Sequence, residues 1–97
     1  MSVVNLALQV LPMGKPKEEA YALVDEAIKV IQASGLKYVV CPFETVIEGE
    51  YAEVMKVVEQ TQEACFAAGG EDLLVYIKLQ RSKSEVVSIE DKTGKYA

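Results

Sequence analysis

The stretch CPFETVIEGEY, residues 41–51, sets Glu44, Thr45, Glu48 and Glu50 among apolar side chains, with Phe43 beside Pro42. Carboxylates and a hydroxyl accept hydrogen bonds from a polar heterocycle, and an aromatic ring can cover its face. The same residues also suit a plain hairpin running into a helix, and Phe43 fits the core as well as a ligand lid. Outside this stretch, Gln9 and Lys78 supply an amide and an ammonium group.

Other chemistries are less well served. Histidine is absent, which removes the usual general base and most nucleophilic dyads. Cys41 and Cys65 are far apart in sequence, without the close Cys or His ligands of a zinc site, and read as buried free thiols. No metal or other cofactor is expected. A net charge of −5 disfavours nucleic acid or an anionic membrane as partner and is compatible with a cationic small ligand. No apolar run approaches the roughly 20 residues of a membrane span. The N-terminus MSVVNLALQVLPMG lacks a basic region, so a cytoplasmic protein without a signal peptide is expected.

The elements that must position these residues follow from periodicity. Val3 to Leu11 alternates, with Val4, Leu6, Leu8 and Val10 on one face and Asn5, Ala7, Gln9 and Leu11 on the other: a strand. Lys17 to Ser34 carries Ala20, Leu23, Val24, Ala27, Ile28 and Ile31 at helical spacing. Pro16 suits the first turn and Gly35 a left-handed cap. LKYVVC is a short strand ended by Pro42, and TVIEGE is the next. Tyr51 to Ala68 repeats the helical stripe, and Leu73 to Gln80 alternates as a fourth strand. Ser88, with Asp91 three residues on, predicts the start of a short last helix whose end Gly94 blurs.

That order predicts one α+β domain over residues 1–97, ferredoxin-like βαββαβ. It implies a four-stranded antiparallel sheet, two helices on one face and a short C-terminal helix. The sets Leu6/Leu8/Val10 and Val75/Ile77/Leu79 should meet the helices, leaving a mixed open face with Leu11, Leu74, Tyr76 and Lys78. Such a face suits a second subunit or a ligand.

Alternation sends Val46, Glu48 and Glu50 to one side of the third strand and Thr45, Ile47 and Gly49 to the other. With Ile47 in the core, Glu48 joins Gln9 and Lys78 on the open face. There it is either part of a recognition cluster or a solvated carboxylate with a lysine partner, worth at most about 1 kcal/mol. On either reading its loss should leave the core intact. Glu50 suits the positive end of the following helix, and Gly49 the change of direction between strand and helix.

The segments ALQVLP, KYVVCPFETVIEGEY and SIEDKTGKY together resemble the small thiamine-binding, YkoF-like proteins, and the resemblance spans nearly the whole chain. Its most specific part is Pro42, Thr45, Glu48, Gly49 and Glu50. The resemblance implies a ferredoxin-like subunit forming dimers or dimers of dimers. It also implies binding of thiamine or its hydroxymethylpyrimidine portion, without known catalysis. Strand parity for Gln9 and Lys78, the aromatic ring of Phe43 at the turn, and the matched Thr45 and Glu48 together make Gln9, Phe43, Thr45, Glu48 and Lys78 the expected ligand-binding residues, in a pocket near a subunit boundary. Glu48 would accept from the amino group or the protonated ring nitrogen of the pyrimidine, and Thr45 would hold the adjacent turn or use its hydroxyl. The competing readings are a ligandless oligomerisation or regulatory module and an isomerase or lyase with Glu48 and Lys78 as acid and base. No residue set supplies nucleophile, base and orienting group together.

Overall fold

Alternation along the first strand separates a dry face from a mixed one. The computed structural model describes residues 2–96. In β1 (Val3–Pro12), Val4, Leu6, Leu8 and Val10 are buried against α1 (Lys17–Ala33) and α2 (Tyr51–Ala67). Between the helices run β2 (Lys37–Val40) and β3 (Thr45–Glu50). β4 (Leu73–Gln80) follows α2, and the chain closes with α3 (Ile89–Thr93) and a 3₁₀ turn, Gly94–Tyr96. The sheet order is β2-β3-β1-β4 with every neighbouring pair antiparallel. This is the ferredoxin-like fold.

The helices form where the stripes predict. Leu23, Ala27 and Ile31 of α1 meet Val54, Val57, Val58 and Cys65 of α2 over β1 and β3. Gly35, at φ +79°, follows the last turn of α1, a conformation that costs any residue with a Cβ. Ser34 reinforces that end: its hydroxyl donates to Ile31 O at 2.6 Å and accepts from Leu36 N at 3.1 Å.

Three details depart from the sequence pattern. Val75 is half-buried under the helices, but Ile77 and Leu79 are each 43% exposed. β4 is an edge strand, and the helices lie over β1 and β3. Gly49 has no unusual φ; its place is dictated by packing. A Cβ there would stand 3.0 Å from Leu36 Cδ2 and 3.3 Å from Val54 Cγ2. Glu50 is the residue before α2, but its side chain caps no helical N–H and instead accepts from Ser2 N at 3.3 Å.

A fourth departure positions the site. The segment after β4 returns across the open face, and Val87 becomes buried. Ser88 caps α3 as its sequence predicts, accepting from Asp91 N at 3.1 Å.

Candidate functional site

The open face of β1 begins with Asn5, the chain's single asparagine, which is only 5% exposed. It lies opposite Glu48 in the β1–β3 register. Its Nδ2 donates to Val87 O at 3.1 Å and to Glu48 Oε1 at 3.3 Å. Both partners are acceptors, so the orientation of the amide is fixed and both Nδ2 hydrogens are spent. Glu48 Oε1 also accepts from Ile89 N, the first residue of α3, at 2.5 Å. One carboxylate oxygen thus ties together β1, β3 and the C-terminal helix. A carboxylate at a helix start satisfies an N–H that has no partner within the helix.

This arrangement leaves one polar atom unserved. Asn5 Oδ1 is buried and has no hydrogen-bond partner among the described residues. An orphaned buried acceptor costs about 1–3 kcal/mol, so it asks for a donor. Asn5 lines a hollow of about 400 Å³ between the sheet and α3. The apolar wall comes from Ala7, Val39, Val46, Leu79 and Ile89, while Lys78, Gln80, Lys92 and Thr93 bring polar groups. A small heterocycle fits such a mostly apolar space with a few polar groups. Cys41 also lines it; of the two free thiols only Cys65 is buried as expected, whereas Cys41, beside the turn between β2 and β3, is half-buried.

The five residues singled out in the sequence fall in different places. Lys78 lines this hollow, and its Nζ lies 3.6 Å from Glu44 Oε1. Gln9 and Phe43 line a neighbouring, wider depression with Glu44, Tyr76 and Ile77, which Lys78 also borders. Phe43 is 82% exposed there, so it belongs to the surface and not the core. Glu48 is half-buried with its carboxylate committed to Asn5 and Ile89. One of its carboxylate oxygens is therefore held by the fold, and no lysine pairs with it among the described residues. Thr45 lies opposite the core residue Leu8 and is buried on the helix-facing side, away from the hollow. Asn5, Ile89, Lys92 and Thr93 were not singled out. The signal for Asn5 was present: a lone amide in a strand that is otherwise apolar up to Gln9.

Among the described residues no group of three or more His, Cys, Asp or Glu side chains could hold a metal ion. Among them, too, no helix is long and apolar enough to cross a membrane.

Comparison with known proteins decides the family, since the model for "Thiamine-binding protein" matches residues 6–97. The chain belongs to that family. It is 32% identical over 96 residues to a UPF0045 protein of Clostridium perfringens, covering 99% of each chain. A second relative, the UPF0045 protein YqgV of Bacillus subtilis, is 28% identical over 87 residues, covering 86% of this chain and 84% of that one. Among solved structures, a Bacillus cereus domain of unknown function, DUF77, superposes with a TM-score of 0.90 at 39% identity, covering 98% of this chain and 90% of that one. A Thermotoga maritima protein assigned, as a candidate, to thiamine biosynthesis or salvage superposes at 0.88 and 26% identity, covering 98% and 99%.

Proposed function

We propose that residues 1–97 form one domain that binds thiamine or its hydroxymethylpyrimidine portion without catalysis, as a carrier, buffer or sensor. The observation that carries this reading is the orphaned Asn5 Oδ1 beside an apolar hollow, in a member of a thiamine-binding family. An aminopyrimidine brings an exocyclic N–H donor for that oxygen and a flat ring for the wall of Ala7, Val39 and Val46. In this reading Lys78 borders the ligand directly, and Gln9 and Phe43 meet any part that extends into the neighbouring depression. Glu48 acts through Asn5, fixing the amide so that its oxygen is left for the ligand. Thr45 supports β3 from the core side.

Among the described residues Glu48 and Lys78 are not brought together as an acid–base pair, which fits a binder better than an isomerase or lyase. Glu48 is engaged by Asn5 and Ile89, and Lys78 by Glu44. The proposed protein is cytoplasmic and works as a homodimer or homotetramer. Leu74, Tyr76, Ile77 and Leu79 of the edge strand β4 are all more than two-fifths exposed, and apolar surface of this kind favours a second subunit.

A thermal shift with thiamine and with hydroxymethylpyrimidine tests the proposal. Ligand at 100 times its Kd stabilises by about 2.7 kcal/mol, which raises Tm by roughly 10 °C or more for a domain of this size. Ala7→Phe should fill the hollow without touching the Asn5–Glu48 network and abolish the shift. A shift that survives Ala7→Phe would place the ligand elsewhere, and no shift in the wild type would defeat the proposal.

A further inference from the structure

The charge around the hollow differs in sign from that of the whole chain. Among the described residues its lining contains two ammonium groups, Lys78 and Lys92, and no carboxylate. Lys78 is partly neutralised by Glu44, but Lys92 makes no ion pair among the described residues. Glu48, the nearest acid in the network, does not line the hollow, and its Oε1 is taken by two N–H donors. The net charge of −5 belongs to the whole surface. Over distances beyond about 8 Å such charge is screened at physiological salt, so the local lysines dominate a ligand seated between them.

We infer that the hollow takes an aminopyrimidine whose substituent is anionic, a phosphate monoester, in preference to one bearing a thiazolium cation. This rests on the proposed binding function and narrows its ligand class. The amino group donates to Asn5 Oδ1, the ring lies on Ala7 and Val46, and the phosphate meets Lys92 of α3 and Lys78 of β4, which both line the hollow. A positive thiazolium in the same place would face two ammonium groups, with no carboxylate among the described lining residues to offset them. Lysine serves such an anion as a point charge, without the geometric demand of a guanidinium fork.

Calorimetry with three probes tests this: thiamine, hydroxymethylpyrimidine and the phosphate monoester of hydroxymethylpyrimidine. The ester should bind roughly tenfold more tightly than the alcohol, the factor that one charge-assisted contact supplies. Thiamine should bind no better than the alcohol, and raised salt should erode the advantage of the ester. In the Lys78→Gln/Lys92→Gln double variant the ratio of ester to alcohol affinity should fall towards one. Three results would overturn the inference and leave the binding function standing: ester and alcohol of equal affinity, thiamine tightest of the three, or a ratio unchanged in the double variant. No binding of any probe would overturn both.

Discussion

Glu48→Ala should loosen the C-terminal segment from the sheet. The variant removes the acceptor of two hydrogen bonds, from Ile89 N at 2.5 Å and from Asn5 Nδ2 at 3.3 Å. The first is short and charge-assisted, a class that contributes about 1.5–3 kcal/mol. The second is long and adds less, but its loss leaves one hydrogen of a buried amide without a partner, while the bond to Val87 O keeps the other. Water can reach Ile89 N once the carboxylate is gone, which offsets part of the loss. The net cost should be about 2 kcal/mol, a Tm decrease of roughly 8–16 °C for a chain of this length. The cost has a ceiling, because once the segment beyond β4 has undocked, the remaining sheet and helices unfold as before. Urea denaturation followed by circular dichroism measures the global change. Trypsin cleavage after Arg81 and Lys83, which flank the docked segment, measures the local one and should accelerate. Glu48→Gln keeps an acceptor without the charge and should lose about half as much. A Glu48→Ala protein within about 0.5 kcal/mol of wild type, with unchanged trypsin cleavage, would refute the role assigned to this carboxylate.

Gly49→Val should destabilise by about 1–3 kcal/mol through overpacking against Leu36 and Val54, read from the same urea curves. Gly35→Ala should lose about 1 kcal/mol, because its φ of +79° suits glycine alone. Burial, with the charge of Glu26 second, holds the Cys65 thiol above its ordinary range. The unfolded chain therefore gives up that proton first, and stability should fall as pH rises above about 8.5; Cys65→Ala should flatten this slope in denaturation curves taken across the alkaline range. The half-buried Cys41 should react with a thiol reagent in the native protein, whereas Cys65 should react only on unfolding. Sedimentation should show a homo-oligomer, and a stable monomer of 10.6 kDa at micromolar concentration would remove the role given to the exposed side chains of β4.

The fold was legible because its determinants are local. Alternation in β1 and β4 and the stripes of α1 and α2 each need only a window of ten to twenty residues, and each element forms within about a residue of its expected bounds. The misreading at Ile77 and Leu79 has a geometric source. Alternation tells which face a side chain takes, but not how far two helices extend across a sheet, and the edge strand lies beyond their cover. Gly49 misled for a related reason: a glycine between strand and helix suggests a turn, whereas its demand comes from Leu36, thirteen positions earlier in the chain.

The site was legible only in part, because its key contacts join residues far apart in sequence. Asn5 meets Val87 across 82 positions, and Glu48 meets Ile89 across 41. No periodicity reports that the segment after β4 folds back over the open face, so Glu48 looked free to meet a ligand when the backbone of α3 occupies it. Strand parity did place Glu48, Gln9 and Lys78 on the correct face and marked Thr45 as the exception. What parity cannot supply is competition between partners. Glu48 is claimed by two donors, and together with Val87 O it spends both Nδ2 hydrogens of Asn5 and orphans the amide oxygen. The buried polar atom left without a partner therefore belongs to the neighbour of the residue that the sequence made conspicuous.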